Sequence, residues 1–402
     1  MLAIALVDRI GSGLWASVSV LYFTYVSELS LAQVGTLAAA AGAIGIVGAP
    51  VGGKLADRFP VTRVLLTVQL MRAVASCALL TTDNYALLIA FSAVGGLGDR
   101  AASILTKLYA TRVAGPERVR YQAFYRTVAN AGWALGGLAA AAALALGTTT
   151  AYQWLLAGDA LSFLASALLT LRCGEPPSPS RTVITSKHPT PTTGPANPWR
   201  DRTYLAYVAT EAVLFLDDAV FKVGLPLWIA HESTAPNGLA PLLMVLNNVM
   251  VVALQVPLAR FGTTTAAARN LLLPLSATFA LGGVAMALAA TGGAVTATAL
   301  LTAAAAAFTM AEMLHATVSW ELSVALAPDT AQGAYLGVHG LAQSVQRTFG
   351  PLAVTAAIAT GPAGWATFGT GIALTCAIQH RLVRKRLTPP ALSVPPITVS
   401  EH

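Results

Sequence analysis

Apolar runs of about twenty residues, broken by short polar turns, recur along the whole 402-residue chain. That is the length a helix needs to cross roughly 30 Å of hydrocarbon. The runs fall at 5–27, 32–55, 63–82, 85–110, 121–147, 151–172, 203–230, 238–260, 266–290, 294–318, 332–360 and 363–383, which predicts twelve spans. Between Cys173 and Trp199 the pattern stops. Glu175-Pro176-Pro177-Ser178-Pro179-Ser180 and the stretch from His188 to Pro198 are too rich in Pro, Ser and Thr to build a core. The expected organisation is therefore six helices over 1–172, a linker over 173–202, six helices over 203–383 and a tail over 384–402.

Composition agrees with the spacing. The chain is 55% hydrophobic and 10% charged, with mean hydropathy +0.66, whereas soluble domains carry about 25% charged residues. An all-α membrane protein is the class this implies. The turns that would lie inside, counted from an internal N-terminus, hold Lys54, Arg58 and Arg63, then Arg112, Arg118 and Arg120, then the linker and later basic residues through Arg386. The alternate turns hold Glu28, Asp83, His231 and Glu232 and no Lys or Arg. This asymmetry places both termini in the cytoplasm of a cell whose inner membrane the chain spans. It also accounts for the net charge of +7 without nucleic-acid binding, which needs a basic face on a soluble domain. The first run begins at Met1, contains Asp8 and Arg9, and lacks a cleavage region, so it reads as a retained span. Cys77, Cys173 and Cys376 show no metal-ligand spacing, and no metal or cofactor is expected.

The turn after the second run, Gly53-Lys54-Leu55-Ala56-Asp57-Arg58-Phe59-Pro60-Val61-Thr62-Arg63, follows the pattern G-x-L-A-D-R-x-x-x-x-R. It resembles the loop 2–3 signature of the major facilitator superfamily. The family usually has Gly and a basic residue soon after the Asp-Arg pair, where this chain has Phe59 to Thr62, so its turn is expected to be stiffer. Asp57 lies near a helix C-terminus, where the macrodipole disfavours an anion. The resemblance implies that Asp57 docks on the start of span 11, near Pro328-Asp329-Thr330-Ala331-Gln332, with Arg58, Arg63 and Arg112 completing a gating cluster beside Gly53. Pro257-Leu258-Ala259-Arg260-Phe261 echoes the motif after span 8 without the acid. In span 5, Gly132-xxx-Gly136 is similar to the glycine motif of superfamily exporters, without its proline, and also suits plain close packing.

Charges within spans are costly and point to function. On an unbroken helix, Glu211, Asp218 and Lys222 of span 7 share one face and Asp217 points elsewhere. Asp218 and Lys222 pair one turn apart, leaving Glu211 as a candidate proton carrier. Glu312 and His315, one turn apart in span 10, form a second candidate pair. Further candidates for substrate or proton are Asp8 and Arg9 in span 1, Asp99, Arg100 and Lys107 in span 4, Arg126 in span 5 and Asn248 in span 8. Arg100 and Lys107 share a face that would attract an anion, and mutual salt bridging is the plainer role for any one of these groups.

Neither a P-loop nor an HExxH or GxSxG arrangement occurs, which argues against an enzyme. Resemblance to the efflux branch of the superfamily implies a monomeric secondary transporter exporting a small amphipathic molecule in exchange for protons. An importer or facilitator of an organic anion is the same-fold alternative, and a membrane receptor or embedded enzyme the different class.

Overall fold

The computed structural model describes residues 1–145, 148–178, 197–231, 233–236 and 238–387. Most of the expected linker, the tail beyond Leu387 and Glu232 lie outside the described residues.

Fourteen helices carry the described chain, and no strand occurs among the described residues. In order they are α1 (Leu2–Tyr25), α2 (Leu31–Gly45), α3 (Gly48–Arg58), α4 (Val61–Leu79), α5 (Tyr85–Ala114), α6 (Arg118–Leu144) and α7 (Thr149–Leu171) in the first half. The second half holds α8 (Arg202–Leu214), α9 (Leu225–His231), α10 (Leu239–Ala259), α11 (Thr265–Ala289), α12 (Ala294–Ala325), α13 (Gln332–Ala359) and α14 (Pro362–Leu387). Eight stretches are long and apolar enough to cross a membrane, and α5 and α6 form one of them, joined by a tight turn in which Gly115 takes φ +50°. This is a multi-pass membrane protein. Side chains that a soluble protein would bury face outward here, among them Leu138, Leu168 and Val295.

Two predicted spans are broken, and proline explains the first. The expected span 2 is split into α2 and α3 at Ile46 and Val47, because Pro50 has no N–H for the Ile46 carbonyl and its ring crowds that carbonyl. The expected span 7 breaks after Leu214. It resumes as one short turn at Asp217–Ala219, winds as a π-helix over Val220–Gly224 and enters α9, where Pro226 cannot bond the Lys222 carbonyl. Span 10 runs further than expected, to Ala325.

Lipid offers no hydrophobic drive for helix association, so the helices are held by close packing and polar ties. In the first half, α1 packs on α6 and α7, and α4 on α5 and α7. A Cβ on Gly132 would lie 2.8 Å from the Leu6 carbonyl oxygen and one on Gly136 would overlap that of Ile10, so the Gly132-xxx-Gly136 ridge seats α6 against α1. In the second half, α11 packs on α12 and α14, and α8 on α13 and α14, around Trp228 and Trp365, whose rings meet edge-on at 6.0 Å. The halves touch mainly where α3 meets α13 and α6 meets α10. Helix ends bearing Arg58, Arg63, Arg112, Arg118 and Arg384 gather at one end of the molecule, here called the basic end.

Gly136→Leu is expected to cost about 1–3 kcal/mol by overpacking, lowering the unfolding temperature of the purified protein. Gly137→Leu should change it little, since nothing lies within 4 Å of a Cβ there. Equal effects would show that α6 is not seated by this ridge.

Candidate functional site

The α3–α13 contact is the tightest between the halves. A Cβ on Gly53 would overlap the Gly333 carbonyl oxygen, one on Gly337 would lie 2.7 Å from that of Ala49, and one on Gly340 would lie 2.7 Å from the Ala49 methyl. The absent side chains bring Asp57 onto the first turn of α13. Its Oδ1 accepts from the Gly333 N–H at 2.9 Å and its Oδ2 from the Ala334 N–H at 2.7 Å. The first N–H groups of a helix have no partner within it and carry its positive end, so they suit an anion. Arg112, at the end of α5, stands 3.6 Å from Oδ1.

Arg58 and Arg63 do not join this cluster. Both are exposed, on the solvent side of the turn, and make no ion pair among the described residues. Glu175 holds the turn instead, accepting from the backbone N–H of Val61 at 2.9 Å and of Thr62 at 3.0 Å and so capping α4. Sequence reading had left Glu175 in the linker, and nothing in its neighbours marked it. Arg118 grips Glu321 across the halves with two bonds of 2.7 and 2.6 Å. Glu321 was missed because span 10 was ended at residue 318. In the second half, Asp201 caps α8 and takes a 2.8 Å bond from Arg386. Burial alone would raise its pKa, but the bonds from Arg386, the Tyr204 backbone and Tyr335 outweigh that and lower it.

Deeper in, a cavity of about 370 Å³ lies between the halves. Of the candidate residues, Arg126, Asp218, Lys222, Glu312 and His315 line it; Asp8, Asp99, Arg100, Glu211 and Asn248 do not. Asp8 and Asp99 are taken up by Arg72, at 2.6 and 3.6 Å, and the Arg72 guanidinium also lies 3.9 Å over the Phe163 ring. Arg100 sits 3.9 Å from Asp99 and its Cβ lies behind Gly48, so it and Lys107 do not face a common site. Asn248 is exposed and bonds its own helix at Met244, whereas Asn247 donates to Glu312 at 2.7 Å.

The expected Glu312–His315 pair is also absent. Glu312 bonds Arg126 across the halves, and His315 turns the other way, with Nε2 3.5 Å from Glu211 and Nδ1 3.5 Å from Asp217. The break in span 7 is the reason. Losing the helical register after Leu214 swings Asp217 toward Glu211 and leaves Asp218 with Lys222 at 2.8 Å and Gln346 at 3.2 Å. Glu211 is fully buried. It accepts from Gln379 at 2.6 Å and from Ser319, and lies 3.2 Å from His339 Nε2. No Lys or Arg pairs with it among the described residues, yet His315, His339 and Ser319 carry its contacts to the cavity wall.

Hydrogen bonds and ion pairs that join the halves include those of Asp57, Arg118–Glu321, Lys107–Ser323 at 2.8 Å, Arg126–Glu312 and Arg347–Asp99 at 3.6 Å. These lie at mid-depth or at the basic end.

The model of the Major Facilitator Superfamily matches residues 1–351. No curated protein matches the chain. Among solved structures, FucP in its outward conformation is 17% identical over 96% of this chain and 97% of its own, with a TM-score of 0.70. The proton:xylose symporter XylE bound to 6-bromo-6-deoxy-D-glucose is 15% identical over 95% of each chain, TM-score 0.69. The human organic anion transporter MFSD10 is 15% identical over 95% of this chain and 97% of its own, TM-score 0.64. A family model covering most of the sequence, on a fold shared nearly end to end with such structures, shows that this chain belongs to the major facilitator superfamily.

Proposed function

We propose that the protein is a proton-coupled secondary transporter that exports a small organic molecule by alternating access, using twelve spans in two six-helix bundles with both termini cytoplasmic. The observation that carries this is a polar cavity between the halves, with polar ties such as Arg126–Glu312 beside it and those of Asp57 and Arg118 on its basic side. In this reading the basic end is cytoplasmic, the gate there is shut, and the cavity faces outward. Asp57, Gly53 and Arg112 form the latch, with Arg118–Glu321 as a second bolt.

Proton coupling falls to Glu211. A buried carboxylate that meets two imidazoles, an amide and a hydroxyl is one whose charge the local structure can tolerate in either protonation state. His315 and His339 connect it to the cavity, and Asp217 backs His315 from the far side. Glu312 has a different part: its bond to Arg126 ties the cavity walls together, so it reads as a closure contact. Export rests on the likeness of Gly132-xxx-Gly136 to the exporter motif. The structural neighbours include proteins named for xylose and for organic anions, so the fold by itself leaves the cargo open and the cavity must supply it.

Asp57→Asn keeps an oxygen for one helix N–H and loses the charge. It is expected to remove about 1.5–3 kcal/mol from the closed gate, slowing transport while expression and unfolding temperature hold. Normal initial rates in proteoliposomes would reduce the motif to a topology signal. Transport driven by an imposed proton gradient is expected to vanish in Glu211→Gln, while counterflow without a gradient persists. Uphill transport that survives a protonophore would exclude the coupling.

A further inference from the structure

We propose that the cavity takes an organic anion with an aromatic body, its anionic group held between Arg9 and Lys107. This rests on the transport reading in that it names the cargo of the same cavity.

The argument begins with charge pairing. Each carboxylate that lines the cavity is already met: Asp218 by Lys222, Asp217 by His315, and Glu312 by Arg126 and Asn247. A cationic ligand would have to break one of these pairs. Of the lining cations, Arg126 and Lys222 are spent in the same pairs, and Arg347 stands 3.6 Å from Asp99. Arg9 and Lys107 are different. Arg9 reaches only the Tyr125 hydroxyl, at 3.5 Å, and Lys107 only the Ser323 hydroxyl; neither forms an ion pair among the described residues. Two cations in the cavity wall with no carboxylate in direct contact are open to an anion from the cavity.

The geometry around them defines the rest of the ligand. Tyr125 and Trp320 lie 6.5 Å apart between ring centroids, Arg9 at the hydroxyl of the first and Lys107 with its Nζ 5.0 Å from the centre of the second. Each cation thus stands against one member of an aromatic pair. Trp133 lines the same cavity and remains 43% exposed. It offers a face on which a flat ring can lie. A carboxylate or similar oxyanion on an aromatic frame meets all these groups at once, in a cavity at the small end of the range for organic ligands.

Three probes share one ring system and differ in charge: 2-naphthoate, the neutral 2-naphthamide and the cationic 2-naphthylmethylammonium, with inorganic phosphate as a fourth. The purified full-length protein is expected to be stabilised against heat by 2-naphthoate well above the other three. Arg9→Gln and Lys107→Gln should each weaken that binding by about tenfold to a hundredfold, and Arg9→Lys and Lys107→Arg should restore most of it. Stabilisation by the ammonium, the amide or phosphate equal to that by naphthoate overturns the proposal, as does no stabilisation by naphthoate at millimolar concentration. So do glutamine variants that bind naphthoate like the parent. Uptake into proteoliposomes separates this from the transport reading: naphthoate that binds without being carried keeps the anion site and sinks transport, whereas carriage of the ammonium alone keeps transport and sinks the anion site.

Discussion

The backbone-to-backbone approach of α3 and α13 is the constraint on which the rest of the arrangement depends. A carboxylate can take hydrogen bonds from the first turn of another helix only if the two helices come closer than side chains normally permit. Gly53, Gly333, Gly337 and Gly340 provide that clearance from both sides. With the helices so close, Asp57 sits at the unfavourable end of its own helix and the favourable end of the next. Elsewhere between the halves, Lys107 meets Ser323 and Arg118 meets Glu321.

The two halves solve the problem of buried charge in different ways. The first half holds one buried network of its own, with Arg72 meeting Asp8 and Asp99 while Ser76 donates to Asp159. In the second half the deep acid is surrounded by imidazole, amide and hydroxyl groups, each able to donate or accept.

Much of this was legible in the chain. Span length, charge-poor composition and the distribution of basic residues announced a helical membrane protein, and the helix-dipole argument singled out Asp57 among the charges of its turn. The amides it meets, Gly333 and Ala334, lie just past the segment expected to receive it. What could not be read depended on register and on distance in sequence. Asp217 points elsewhere only if an ideal helix continues past Leu214, where the chain in fact loses its helical register. Glu321 fell outside a span ended seven residues short of Ala325. Arg126 and Glu312 are 186 residues apart, and periodicity carries no information about which faces meet.

The glycine seam also bears on leakage. Where two backbones touch directly, no file of water molecules can thread between them, and hydrated ions lose the path that a looser side-chain interface would leave. The Gly53–Gly333 contact is therefore electrical insulation as much as it is a joint, and a bulkier residue there would be felt first as a membrane that no longer holds its charge.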